Sequence, residues 1–252
     1  MHATPLPENY RSGFIALIGR PNVGKSTLLN QLVGEKVAIT SPVAQTTRNR
    51  LRAILTTEVA QMVLVDTPGI HKPHHLLGER LVKSARSAIG EVDLVVLLLE
   101  GCERPGRGDA FIVNLLQQQS LPVLVALNKW DKLAEEHRSE AEEAYAALLQ
   151  ETNWPVHRCS ALSGDGCAEI TAAMAAQLPL GPQLYPPEMV SDQPERVLLG
   201  ELIRELPDPR GRDPRVDLLP HQVDVLGRLV PAPVARRQQE VGPLQDLPPL
   251  LA

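Results

Sequence analysis

The chain has 252 residues, 43% of them hydrophobic, and a formal net charge of -5. That length suits one medium domain with a smaller appendage. The acidic balance argues against nucleic-acid binding by overall charge, DNA included, so any RNA contact needs a local basic patch.

Three cysteines, Cys102, Cys159 and Cys167, lack paired spacing. They argue against a disulfide framework or a zinc site and fit a reducing cytosol. Residues 1–12 read as a short extension without the apolar segment of a signal peptide. From 13 to 180 strand-like and helix-like segments alternate. Residues 14–18 read as a buried strand, followed by a glycine-rich turn and a helix from Lys25 to Val33. Residues 34–49 are rich in Thr, Ser and Gln, have no period, and read as a loop. Residues 50–56 and 61–65 form two strands with a tight connection, and 76–89 carry helical spacing. A strand is expected over 93–99; its apolar run is far short of the roughly 20 residues that span a bilayer. A helix over 110–119, a strand over 122–127, a helix over 134–150, a strand over 156–159 and a helix over 168–178 complete the series. The alternation predicts an α/β fold, a mostly parallel six-stranded sheet with helices on both faces. In such sheets ligands bind at the carboxyl ends of the strands. Residues 181–205 read as a linker ending in one helix. Residues 206–252 hold nine prolines and no lysine, a density that breaks helices and ladders and predicts a disordered tail.

Gly19-Arg20-Pro21-Asn22-Val23-Gly24-Lys25-Ser26 has the form G-x-x-x-x-G-K-S between a predicted strand and a predicted helix, and Thr27 continues its first turn. In that setting backbone N–H groups and the helix N-terminus converge on phosphates. Lys25 is expected to reach the β- and γ-phosphates and Ser26 to ligate magnesium. The loop alone does not separate ATP from GTP. Asn128-Lys129-Trp130-Asp131, after another predicted strand, is the N-K-x-D pattern of GTP-binding proteins. The Asp131 carboxylate can accept hydrogen bonds from guanine N1–H and the N2 amino group, where adenine offers no donor. A buried carboxylate left unpaired rejects the wrong base by roughly 10⁴-fold. The Lys129 stem can lie along the base, and Ser160-Ala161 is expected to present a backbone N–H to guanine O6.

Asp66-Thr67-Pro68-Gly69 follows a hydrophobic strand. Asp66 is expected to hold the magnesium through a water and the Gly69 N–H to sense the γ-phosphate, an arrangement released on hydrolysis. Within Gln45-Thr46-Thr47-Arg48, one threonine is expected to close over the magnesium. Ile70 stands where many such enzymes place a Gln that orients the attacking water, which isoleucine cannot do. His71, His74 and His75 read as a mobile surface loop rather than a metal site. Trp130 and Trp154 read as packing residues.

The run from Gly19 to Ser26 and on through Thr27-Leu28-Leu29-Asn30 resembles the Era family of GTPases and its translational relatives. Lys36-Val37-Ala38-Ile39-Thr40-Ser41, Gln45-Thr46-Thr47-Arg48 and Asp66-Thr67-Pro68-Gly69-Ile70-His71-Lys72-Pro73 narrow the resemblance to Era. Tyr185-Pro186-Pro187 and Ser191-Asp192-Gln193-Pro194-Glu195-Arg196 resemble the family's linker, and Gly200-Glu201-Leu202-Ile203-Arg204-Glu205 the first helix of its KH domain. The resemblance covers 1–205. It implies a G domain over 13–180 that hydrolyses GTP to GDP with magnesium, with Lys25, Thr47 and Gly69 acting on the reacting phosphate. It also implies a role in assembling the small ribosomal subunit and 16S rRNA binding through a KH domain. The expected setting is the bacterial cytoplasm, with peripheral contact to the inner membrane face, as a monomer. Asn22 in the phosphate loop resembles a subgroup that binds potassium. By that resemblance the Asn22 and Thr46 side chains and the Ser41 and Val43 backbone oxygens hold the ion, leaving Thr47 for magnesium.

KH domains clamp RNA with a G-x-x-G loop, and residues 206–252 contain none. The change directly after Glu205 reads as a tail encoded out of register, or as a divergent tail, without an intact KH domain. The alternative function is a nucleotide-binding RNA-assembly factor, or a related ribosome- or tRNA-associated GTPase, with little hydrolysis.

Overall fold

The computed structural model describes residues 6–38, 51–66 and 90–192, all within the unit Met1–Glu205. Ser41, Val43, Thr46, Thr47, Thr67, Pro68, Gly69 and Ile70 lie outside the described residues. So do His71, His74 and His75, the helices expected over 76–89 and 200–205, and residues 206–252.

Six strands alternate with helices: β1 (Arg11–Gly19), α1 (Lys25–Val33), β2 (Leu51–Thr56), β3 (Ala60–Asp66), β4 (Leu94–Glu100), α2 (Arg107–Gln117), β5 (Val123–Asn128), α3 (Arg138–Leu149), β6 (Val156–Arg158) and α4 (Cys167–Gln177). The sheet order is β2-β3-β1-β4-β5-β6. Every pairing is parallel except β2 with β3. This is the architecture expected from the alternation.

The central strands read as continuous apolar runs because both of their faces are covered. Alternate side chains supply the two cores. Ile15 and Leu17 pack with Leu28 and Leu29 of α1 and Ile170 and Met174 of α4. Ala16 and Ile18 pack with Ile112 and Leu116 of α2 and Tyr145 and Leu149 of α3. Full burial of each large apolar side chain is worth about 1.5–3 kcal/mol, so the parallel strands are held by helices on both sides. Trp130 and Trp154 are half-buried against the second core, in the packing role expected for them.

Two helices start elsewhere than their spacing suggested. Helix α2 begins at Arg107 rather than 110, because the Asp109 carboxylate turns back to accept the Gly106 N–H at 2.8 Å. That contact satisfies one of the orphan donors of a helix start. Helix α3 begins at Arg138 rather than 134. Ala134 is extended, and a 3-10 turn over Glu135–His137 closes with His137 N–H donating to Ala134 O at 3.0 Å. The tighter turn reorients the chain before the α-helix can propagate.

The segment after α4 is fastened back onto the sheet. Ser12 N–H donates to Pro179 O at 3.1 Å. The buried Gln61 amide accepts the Leu184 and Tyr185 N–H groups and donates to Tyr185 O. Ile54 N–H reaches Val190 O at 2.9 Å, so the described part of the expected linker covers the β2 edge.

Candidate nucleotide site

Gly19, Asp66, Glu100 and Asn128 are the last residues of β1, β3, β4 and β5. The parallel sheet therefore brings both sequence motifs to one edge, where the topology of open α/β sheets places ligands.

The phosphate-type loop runs from Gly19 to Gly24, with Pro21 and the buried Val23 inside it. Asn22 and Gly24 both adopt left-handed backbone, at φ 63 and 99, which turns successive N–H groups inward. A Cβ on Gly24 would lie 2.3 Å from Asn128 Nδ2, so only glycine fits. Helix α1 then starts at Lys25, with Ser26 and Thr27 in its first turn. The Lys25 side chain is buried and folds over the loop, its Nζ donating to Gly19 O at 3.2 Å and Arg20 O at 2.8 Å. Burial lowers its pKa to about 8, against the opposing pull of Asp66. The Ser26 hydroxyl donates to Asp66 Oδ2 at 2.9 Å, and Asp66 is fully buried.

Lys25 makes a pH prediction. Between about pH 8 and the ordinary lysine value the unfolded chain binds a proton that the folded ligand-free protein has released. Stability from this group must therefore rise with pH across that window. Denaturant titrations at pH 7.5 and 9.5 should show the rise, and Lys25→Met should remove it.

The second motif is pinned from several sides. Asn128 Nδ2 donates to Val23 O at 2.8 Å, tying it to the phosphate-type loop. Asn128 Oδ1 accepts the Ala161 N–H at 2.8 Å, tying it to the turn after β6. Lys129 is left-handed at φ 61 and pairs with Glu100. Trp130 N–H donates to Cys159 O at 3.1 Å, and the Arg158 guanidinium sits 5.5 Å from the Trp130 ring, a cation–π distance. Ser160 is buried, and its hydroxyl accepts the Ser163 N–H at 3.1 Å. Asp131 is exposed, and among the described residues it accepts no hydrogen bond. Cys159 behind this loop is pushed up to about 12 by burial, with Cys167 and Asp131 adding to it; it stays a packed thiol.

Three expected site residues are engaged in unforeseen ways. Arg20 turns its guanidinium to α2, with Nε 2.9 Å from Asp109 and Nη2 3.6 Å from Glu103. What it offers the loop is its carbonyl, which accepts Lys25 Nζ. In the Ser160-Ala161 turn, expected to present a backbone N–H to guanine O6, both are engaged within the protein: Ser160 N–H donates to Asp165 O at 2.9 Å and Ala161 N–H to Asn128 Oδ1 at 2.8 Å. Sequence reading also missed Asp109 and Glu100. Neither lies in a sequence motif of the nucleotide site, and their site partners, Lys129 for Glu100 and Arg20 for Asp109, are far along the chain.

The 50S ribosome-binding GTPase family model matches residues 14–129. The chain is 56% identical to GTPase Era of Synechocystis sp. over 199 residues, 79% of this chain and 63% of that protein. It is 53% identical to GTPase Era of Crocosphaera subtropica over the same shares. It thus spans about 63% of the length of these curated relatives. A crystal structure of Era in complex with MgGDPNP and a segment of 16S ribosomal RNA superposes with a TM-score of 0.72 at 34% identity, covering 78% of this chain and 66% of that one. With the P-loop, the N-K-x-D turn and the sheet order in agreement, this chain belongs to the Era family of GTPases.

Proposed function

We propose that the chain binds GTP with magnesium and hydrolyses it to GDP and phosphate, as a switch serving assembly of the small ribosomal subunit. The observation that carries this reading is one sheet edge holding both a buried Lys25 beside the Ser26–Asp66 pair and an exposed Asp131 that accepts no hydrogen bond among the described residues.

Lys25 exchanges its two loop carbonyls for the phosphate oxygens, where its charge is stabilised. The Ser26 hydroxyl and Asp66 carboxylate are hard oxygen donors 2.9 Å apart, a set that fits magnesium, which takes one or two such ligands beside nucleotide phosphates. With Thr47 they would hold the ion, which offsets phosphate charge. Asp131 reads the guanine edge, the Lys129 stem lies along the base, Trp130 packs under the turn, and Asn128, Ser160 and Ala161 hold that loop in shape. Thr67, Pro68, Gly69 and Ile70 follow Asp66 directly, so we assign them to the γ-phosphate side, with the Gly69 N–H as its sensor. Residues 13–180 form the G domain, 181–205 the linker and remnant helix, and 206–252 a separate tail. The ribosomal role rests on the family and on the relative solved with 16S ribosomal RNA. A cytoplasmic setting fits that role, with peripheral membrane contact as the finer proposal. Among the described residues no helix is long and apolar enough to cross a membrane.

Turnover of GTP measured with and without small ribosomal subunits tests the reading. Hydrolysis stimulated by the subunits is expected; tight GTP binding with no turnover in either condition would favour the assembly factor with little hydrolysis, which Ile70 supports.

Asn22 and Thr46, with Ser41 and Val43, are proposed to hold a potassium ion whose charge takes over the role of an arginine finger. Turnover should be at least about tenfold faster in potassium than in sodium buffer, and Asn22→Ala should abolish the difference. Equal rates in the two salts would sink the idea.

A further inference from the structure

We infer that Glu100 is a positioning residue for guanine-nucleotide binding, acting through Lys129. The inference rests on the GTP reading above and deepens it.

Lysine is a poor choice for a rigid surface. Its long stem has many rotamers, and a ligand that lies on it must first immobilise it. The structure removes that cost in advance. Lys129 takes a left-handed backbone, which carries its side chain off the line of β5. Its Nζ is then caught by the Glu100 carboxylate at the end of β4. The four-carbon stem is stretched between two fixed points, both of them half-buried.

The carboxylate itself comes from a rigid place. Glu100 lies in register with Asn128 across the β4–β5 pairing. Its carbonyl accepts the hydroxyl of the fully buried Tyr145 at 2.8 Å, and burial keeps that phenol protonated. Gly101 N–H donates to Asn128 O at 2.7 Å. A Cβ on Gly101 would meet the Trp130 ring at 2.8 Å, so β4 and the N-K-x-D turn close on each other without slack. An anchor this rigid holds the stem flat where the base arrives, and pre-ordering of this kind is gained as affinity.

The role is confined to the base end of the nucleotide. Loss of Glu100 should therefore weaken GTP and GDP by the same factor, raise KM and leave kcat in place. Binding of GTP and GDP is measured by calorimetry on the full chain carrying Glu100→Gln, Glu100→Asp, Lys129→Met, and Glu100→Gln with Lys129→Met. Glu100→Gln should lose about five- to tenfold for both nucleotides, the order expected when one flexible side chain must be re-ordered. Glu100→Asp, which keeps the charge one methylene shorter, should lose less. In the Lys129→Met background, Glu100→Gln should add less than about twofold, because the coupling has already been removed.

An equal loss in both backgrounds, a loss for GTP but not for GDP, or no loss at all would overturn the inference. If Glu100→Gln did not fold, Glu100→Asp against Lys129→Met would carry the same comparison. A wild-type chain that bound neither nucleotide would overturn the GTP reading instead, which keeps the two failures distinct.

Discussion

Asp131→Asn is expected to weaken GTP binding by at least about 100-fold and to transfer preference to xanthosine triphosphate. The carboxylate accepts from both guanine N1–H and the N2 amino group. An asparagine turns one acceptor into an NH₂ donor, so two donors face each other and one guanine hydrogen bond is lost outright. Xanthine carries a carbonyl where guanine carries the N2 amino group, and that carbonyl accepts from the new NH₂. The surroundings make the result interpretable. Asp131 is exposed and serves no described neighbour, whereas Asn128 and Trp130 keep the turn in shape through Val23, Ala161 and Cys159. The fold should survive, with thermal unfolding close to wild type. Competition binding with the two triphosphates reads the outcome, and unchanged preference for GTP would remove Asp131 from the base-reading role.

Gly24→Ala should destabilise the domain and abolish nucleotide binding together. Gly24 sits at φ 99, where an L side chain costs about 1–2 kcal/mol. The new Cβ would also stand 2.3 Å from Asn128 Nδ2. Asn128 must move, and with it go the bonds to Val23 O and Ala161 N. Leaving such buried groups unpaired costs about 1–3 kcal/mol each. The sum is about 3–8 kcal/mol, which lowers Tm by about 6 °C or more for a domain of this size. Nucleotide binding should be lost even below the new Tm, since the phosphate loop and the base loop are joined through Asn128. Calorimetric melting alongside GTP binding checks both parts. A variant with wild-type Tm and affinity would mean that the loop tolerates a side chain there.

Local pattern was enough for much of this protein. The α1 boundaries, Lys25 to Val33, were legible because a phosphate-loop glycine precedes the helix and Gly34 follows it. The buried strands were legible because a strand covered on both faces must be apolar at every position. Asp66 and Asn128 could be placed at strand ends because their motifs directly follow such runs. Helix starts were less legible. The Asp109 cap and the 3-10 turn before Arg138 depend on hydrogen bonds that leave no period in the sequence.

The chain by itself therefore determined a P-loop and an N-K-x-D turn on one α/β sheet edge, since each motif is a contiguous run with its own local chemistry. Only the tertiary structure decided how the two are joined. Asn128 bridges residues 105 positions apart to Val23 and 33 apart to Ala161. Arg20 turns to Asp109, Lys129 to Glu100, and Gln61 clasps residues more than 120 positions away. Such pairings are set by strand order and register, which bring distant residues within hydrogen-bond reach. No local spacing encodes them.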